Sequence, residues 1–193
     1  MKHADHVDLI RAGVQGAGPR WLELGAGDGE FTLALADLLG GRGEISAVDL
    51  DKWALRKLEA RIAAHFPETA LATGDGDFTR GIPIGPFDGV LAANSLHFVA
   101  DPGPVLEAIR NVLVPGGRLV LVEYDVDRGN AWVPHPISFE RWTRLAPAEG
   151  FTMPVRIHAV PSRFLGAIYG AVASRGADSR VVHSGPHGGD REQ

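Results

Sequence analysis

Arg20-Trp-Leu-Glu-Leu-Gly-Ala-Gly-Asp-Gly-Glu-Phe-Thr32 is the stretch that decides the fold. Trp21 to Leu24 is a short apolar run carrying one carboxylate, which suits a strand buried on both faces. Gly25, Gly27 and Gly29, with Ala26 between the first two, turn the chain sharply. From Phe31 the spacing Phe31, Leu35, Leu38, Leu39 is helical. Strand, glycine turn and helix together open a nucleotide-binding α/β unit. Glycine lets the backbone lie against a ligand, and the helix start offers unpaired N–H groups. The spacing is G-x-G-x-G rather than the dinucleotide pattern G-x-G-x-x-G, and Glu23 stands near the strand end. A carboxylate there attracts a cation, such as an amino group, and repels a phosphate.

Before this stretch, residues 5–15 read as a short helix, with Asp5 as its cap and Val7, Ile10 and Val14 inward. After it, the helix from Phe31 stops at Gly40-Gly41. Glu44 to Val48 then forms a second strand ending in Asp49-Leu50-Asp51. A carboxylate at that tip can accept hydrogen bonds from both hydroxyls of a ribose. Asp49 is the better candidate, and Asp51 suits the cap of the next helix, Lys52 to about His65. Thr69 to Ala72 is a third short strand, followed by Gly74-Asp-Gly-Asp-Phe78. Residues 79–86 hold too many prolines and glycines for a helix, so the crossover to the fourth strand is expected to lack one.

The second signal is Phe87-Asp-Gly-Val-Leu-Ala-Ala-Asn-Ser-Leu-His-Phe98. Val90 to Ala93 is buried strand, and Asn94 to His97 leave its carboxyl end, where ligands of open parallel sheets sit. A helix over 102–113 follows, then Val114-Pro-Gly-Gly-Arg118 as a tight turn into a fifth strand, Leu119 to Tyr124. A long loop from Glu123 leads to a helix that Ser138 caps, running to about Ala146.

These three signals resemble, in order and spacing, the class I S-adenosylmethionine-dependent methyltransferases. The glycine loop matches their [DE]-x-G-x-G-x-G motif. The second signal is close to F-D-x-V-x-x-x-x-x-L-H-x-V, and Leu-x-Pro-Gly-Gly precedes a hydrophobic strand as it does in that family. The resemblance covers roughly residues 5–174. It implies an α/β, Rossmann-like, doubly wound sheet of seven mostly parallel strands, with helices on both faces. An antiparallel C-terminal hairpin closes that sheet, here Val155 to Val160 and Ala167 to Ala173; periodicity alone would also allow a helix across 164–173.

By the same resemblance the cofactor is S-adenosylmethionine. Glu23, Gly25, Ala26, Gly27 and Gly29 would hold its amino-acid end, Asp49 its ribose and Leu50 its adenine. Asp75 and Gly76 match the positions that meet the adenine edge, with Asp77 in competition, and Asn94 falls where the chain nears the methionine part. For catalysis, His97 is the first choice of base, since histidine titrates near neutral pH, although a histidine packed under the loop is an equal reading. Asp125 and His135 in the long loop are further candidates to bind the acceptor or take its proton. No cluster has metal-ligand spacing.

At 193 residues with 45% hydrophobic and 22% charged content, the chain reads as one domain, residues 1–174, followed by a flexible tail, 175–193, whose His183 and His187 are taken as solvated. A net charge of −5 argues against nucleic acid and anionic membranes as partners. The absence of cysteine excludes disulfides and thiolate chemistry and fits a cytoplasmic protein. No apolar run approaches the ~18 residues of a membrane span. The expectation is a cytoplasmic methyltransferase, monomeric or homodimeric, acting on oxygen or nitrogen of a small molecule. The alternatives are a cofactor-binding or regulatory protein without turnover and a nicotinamide-dependent oxidoreductase with an all-parallel sheet.

Overall fold

Strand β1 (Arg20–Leu24) occupies the middle of the sheet because its side chains are apolar on both faces: Trp21, Leu22 and Leu24 are all fully buried. It pairs in parallel with β2 (Glu44–Asp49) on one side and with β4 (Phe87–Ala93) on the other. In the computed structural model, which describes residues 1–176, the sheet has seven strands in the order β3-β2-β1-β4-β5-β7-β6. The remaining strands are β3 (Ala70–Asp75), β5 (Leu113–Tyr124), β6 (Val155–Pro161) and β7 (Ala167–Ser174). β7 runs antiparallel between β5 and β6. That hairpin separates the sheet from the all-parallel one that an oxidoreductase predicts, and residues 164–173 are not helical.

Alternation along the strands assigns the helices to two layers. Trp21, Ile45, Leu91 and Val120 pack with α1 (His3–Val14), α2 (Glu30–Leu38) and α3 (Lys52–His65). Leu22, Val90, Leu119 and Leu121 pack on the other face with α4 (Gly103–Val112) and α5 (Phe139–Ala148). The chain passes from β1 through β2 to β3, then returns to start again at β4, so strand order reverses between β1 and β4. The crevice beyond the carboxyl ends of those two strands is where such sheets bind ligands.

Three local readings need correction. Helix α1 starts at His3 after Lys2, and Asp5 is not its cap but its third residue, reaching back to accept the Lys2 N–H at 2.8 Å. β5 already begins at Leu113, opposite Phe87; its register then jumps, with Gly89 opposite Arg118. Pro115-Gly116-Gly117 is therefore a bulge within the strand's span rather than a turn ahead of it, with Gly116 at φ 74°. Arg175, expected to open the tail, bridges Phe151 and donates its N–H to the Gly117 carbonyl at 2.7 Å. The remaining tail, including His183 and His187, lies outside the described residues. The connection from Asp75 to Phe87 is without a helix, as its prolines require.

Candidate active site

The glycine loop is shaped by what surrounds it. Gly25 (φ 76°), Gly27 (φ 53°) and Gly29 (φ 91°) all have positive φ, which side-chain-bearing residues rarely adopt. A Cβ on Gly25 would stand 2.5 Å from the Ser95 Cβ, so glycine is also needed there for close approach of the loop to the end of β4. The N–H groups of Gly25 and Ala26 donate to the Val48 carbonyl, at 2.8 and 3.1 Å, which ties the loop to β2. Arg61 braces it from α3, donating to the Asp28 carbonyl at 2.7 Å and pairing with Glu30 at 2.9 Å.

Asp49 closes the loop from the other side. Its Oδ2 accepts the Gly27 N–H at 2.7 Å and its Oδ1 accepts the Asp51 N–H at 2.8 Å. Both oxygens are thus aimed by backbone donors, and the carboxylate lines a cavity of about 480 Å³ together with Gly25, Leu50, Asn94, Ser95 and Phe98. Asp51 serves the separate role of capping α3, accepting from Trp53 and Ala54 N–H. Leu50 is 73% exposed at the mouth of the cavity. The carboxylate lining this cavity after β3 is Asp77 and not Asp75. Asp75 is exposed opposite Asp49, and the Gly76 N–H is already given to the Asp49 carbonyl at 3.0 Å.

Glu23 is fully buried just before the loop, and its Oε2 has no partner. Burial pushes its carboxyl up to about 8, against the opposing pull of the Thr32 hydroxyl, with the Asp49 charge adding to the rise. A buried acceptor left open is costly unless a ligand completes it. An ammonium group does so, which fits the amino-acid end of S-adenosylmethionine. Ser95 Oγ and Asn94 Oδ1 are likewise buried without a partner, and both residues line the cavity beside Gly25 and Asp49.

On the far side of Asn94 lies the catalytic candidate. A 3-10 turn, Leu96–Phe98, carries His97 into the sheet end, where the ring is 3% exposed. His97 Nδ1 is 2.8 Å from Glu123 Oε2, and the His97 backbone N–H donates to Glu123 Oε1 at 3.1 Å. The ring is packed under the loop, and its partner is a fully buried carboxylate. The carboxylate can hold a proton on Nδ1, which is the tautomer that leaves Nε2 as the acceptor, and His97 lines a cavity at this end of the sheet. That cavity, about 410 Å³, is walled by Phe98, Tyr124, Trp132 and Phe164. Burial, with the Glu123 charge, raises the Tyr124 phenol above its ordinary value. A third cavity of about 680 Å³ reaches from Asn94 and Tyr124 to the β6–β7 turn.

The other two proposed catalytic residues are placed elsewhere. Asp125 accepts the Phe139 N–H at 2.8 Å and pairs with Arg156 at 2.9 Å, so its oxygens hold the start of α5 and β6. His135 has an exposed side chain; its backbone N–H donates to the His97 carbonyl at 2.9 Å and fastens the long loop to the 3-10 turn. Neither side chain lines these cavities. Glu123 was the residue that sequence reasoning passed over. Its signal was a lone carboxylate within an apolar strand, as at Glu23. Among the described residues no group of histidines and carboxylates is arranged to hold a metal.

The sequence pattern of the methyltransferase domain matches residues 22–119, which run from β1 through the bulge of β5 and include the whole loop, Asp49 and His97. The chain belongs to this family. S-adenosylmethionine is its methyl donor, and the orphaned Glu23 and the glycine loop fit the amino-acid end of that cofactor. The chain is 30% identical over 166 residues to the reducing polyketide synthase grgA of Penicillium sp, covering 74% of this chain and 7% of that one. It is 29% identical over 109 residues to the ubiquinone/menaquinone biosynthesis C-methyltransferase UbiE of Teredinibacter turnerae, covering 55% of this chain and 43% of that one. The chain therefore spans less than half the length of these relatives.

Among solved structures, the 1,6-didemethyltoxoflavin-N1-methyltransferase of Burkholderia thailandensis superposes with a TM-score of 0.72 at 22% identity, over 91% of this chain and 78% of that one. The CurJ carbon methyltransferase does so with a TM-score of 0.67 at 23% identity, over 84% and 50%. They share this methyltransferase fold. No described helix is long and apolar enough to cross a membrane.

Proposed function

We propose that this methyltransferase transfers the methyl of S-adenosylmethionine to a small molecule whose acceptor atom first loses a proton to His97, and that this atom is carbon. The His97–Glu123 pair, 2.8 Å apart and buried, carries the reading. Nitrogen with a free lone pair needs alignment rather than a strong base, whereas a carbon becomes nucleophilic only when its C–H is ionised. A histidine with its Nδ1 proton held by a buried carboxylate is oriented to accept at Nε2 and to hold the charge it gains. Two relatives named for carbon methylation or polyketide synthesis support carbon.

Bound S-adenosylmethionine supplies an electrophilic methyl on a sulfonium; everything else falls to the chain. Glu23 and the loop from Gly25 to Gly29 hold the amino-acid end, and Asp49 takes the ribose hydroxyls. Methylation at oxygen or nitrogen remains the second reading, favoured by the aromatic wall of Phe98, Tyr124 and Trp132, which suits a planar phenol or heterocycle. The protein is further proposed to act in the cytoplasm, as a monomer or homodimer, without nucleic acid.

Incubating the protein with labelled S-adenosylmethionine and two acceptor sets, 1,3-dicarbonyl compounds and phenols, tests this. Label on carbon that disappears in His97→Gln supports the proposal. Label on phenol oxygen alone overturns the carbon assignment. Transfer to either acceptor set that His97→Gln leaves unchanged overturns the role of the pair.

A further inference from the structure

Of the three cavities that share Asn94 at the end of β4, only one carries positive charge. No lysine or arginine lines the cavity beside Gly25 and Asp49 or the aromatic cavity beside His97. The third, of about 680 Å³, has two, Lys2 and Arg163. They come from distant parts of the chain: Lys2 stands just ahead of α1, and Arg163 lies in the turn between β6 and β7. Neither side chain forms an ion pair among the described residues. Asp5 is the one carboxylate on that wall, and its Oδ2 already accepts the Lys2 backbone N–H at 2.8 Å. In a chain of net charge −5, two such cations at one cavity are a local exception, and local charge is what an anionic ligand meets.

Aromatic side chains join this cavity to His97. It shares Tyr124 and Phe164 with the cavity that His97 lines. The Tyr124 ring centroid is 5.7 Å from that of His97, and the Phe164 centroid is 6.1 Å from that of Tyr124. Arg163 is the residue before Phe164, so the histidine and the guanidinium flank a track of two rings. Val160 and Ile168 add apolar wall to the same cavity. The turn that carries Arg163 and Phe164 is held by its own bonds. Ser162 Oγ accepts the Phe164 and Leu165 N–H groups at 3.1 and 3.2 Å, and the Ser162 N–H donates to the Gly166 carbonyl at 2.9 Å.

We propose that this cavity receives the far end of the methyl acceptor and that this end is an anion. The substrate class is then an apolar small molecule that carries a carboxylate or phosphate away from the atom that is methylated. This rests on the reading above that the acceptor reacts beside His97. Apolar walls supply affinity, and a few charged groups fix orientation. Arg163 offers a planar fork to two oxygens of a carboxylate or phosphate, and Lys2 offers a point charge. The cofactor's own carboxylate has no claim on these cations, because its amino-acid end is assigned to the glycine loop, beside the cavity without lysine or arginine.

The test uses the full chain with S-adenosylhomocysteine bound. Calorimetry measures the affinities of octanoate, octyl phosphate and octanol, which differ only at the polar end. Both anions are expected to bind at least about 10-fold more tightly than octanol, and the tighter of the two identifies the anion. The double variant Lys2→Ala/Arg163→Ala is expected to lose about 10–100-fold for the anions and to leave octanol unchanged. Phe164→Ala should weaken all three alike, and Arg42→Ala, the same change of charge outside the cavity, should weaken none. In a second arm, methyl transfer is compared between 7,9-dioxodecanoate and 2,4-decanedione, one skeleton with and without a terminal carboxylate. Wild type is expected to favour the carboxylate about 10-fold in kcat/KM, and the double variant to lose that preference through KM.

Equal affinities for the anions and octanol in wild type, or an anion preference that the double variant keeps, would overturn the proposal. So would a parallel loss of S-adenosylhomocysteine binding in the double variant, since the cations would then serve the cofactor or the fold. The carbon reading fails separately. Anion binding that depends on Lys2 and Arg163, with no methyl on the carbon of either diketone, would support the anion site and sink that reading alone. Carbon methylation with no anion preference in either arm would leave the carbon reading standing and remove the anion site.

Discussion

Glu123 grips His97 twice: one carboxylate oxygen is 2.8 Å from the ring Nδ1, and the other accepts the residue's own backbone N–H at 3.1 Å. The second bond matters as much as the first, because it fixes the 3-10 turn and so the direction of the ring. His97→Gln should lower methyl transfer by about 10²–10⁴-fold, the usual share of a positioned base. Glu123→Gln keeps the backbone bond and should cost less, while both variants bind S-adenosylhomocysteine within about threefold of wild type. Calorimetry alongside initial rates checks this, and equal rates in all three proteins would remove the pair from the chemistry.

Gly25 and Gly27 both have positive φ, but only at Gly25 would a Cβ meet a neighbour, the Ser95 Cβ at 2.5 Å. Gly25→Ala should therefore cost about 1–3 kcal/mol and abolish cofactor binding, since relief requires the loop or β4 to move. Gly27→Ala meets nothing within 4 Å and should cost only backbone strain, about 1 kcal/mol. Thermal unfolding of the two variants, with and without S-adenosylhomocysteine, distinguishes them; equal losses would refute the steric account.

Glu23 makes stability and binding depend on pH in opposite senses. Its carboxyl sits at about 8 in the folded protein against an ordinary 4.5, so the folded state holds a proton that the unfolded state releases. Stability from this group is fully present below 4.5 and is lost as pH rises through 8. Glu23→Gln should accordingly be the more stable protein at neutral pH, by up to about 3 kcal/mol at pH 7, with the gap widening between pH 5 and 8. If Glu23 holds the ammonium as proposed, cofactor affinity in wild type should rise over the same range, as its carboxylate forms, and should be flat in the variant. Parallel curves for the two proteins would contradict the role of Glu23.

Asp51 and Asp49 stand two residues apart with different work. Asp51→Ala removes the α3 cap and should cost about 1 kcal/mol, or about 2–4 °C, with affinity for S-adenosylhomocysteine unchanged. A matching loss of affinity would mean that the cap and the ribose site are one unit.

Much of this was legible in the sequence because it is local. Strand, glycine loop and helix follow one another within a dozen residues, and the Asp49/Asp51 division follows from the start of α3. The Pro-Gly-Gly stretch was visible, but its place inside β5 was not, since that depends on the register against Phe87. The His97–Glu123 contact was invisible for the same kind of reason. It joins the ends of β4 and β5 across 26 positions, and only sheet pairing brings them together. Asp125, two residues further on, looked the more available carboxylate because it lies in a loop, yet Phe139 and Arg156 occupy it. The adenine edge shows a similar limit: in Gly74-Asp-Gly-Asp-Phe78, spacing alone did not tell Asp75 from Asp77, and the cavity is lined by Asp77.

Asp49 is the proposed ribose ligand of the cofactor site, and both its oxygens are aimed by the Gly27 and Asp51 N–H groups. Titrating S-adenosylhomocysteine into wild type and Asp49→Ala by calorimetry tests it most directly. The account predicts micromolar binding to wild type and a loss of about 100-fold or more in the variant, of the order of two charge-assisted hydrogen bonds. Silence in wild type, or equal affinity in both proteins, would contradict it.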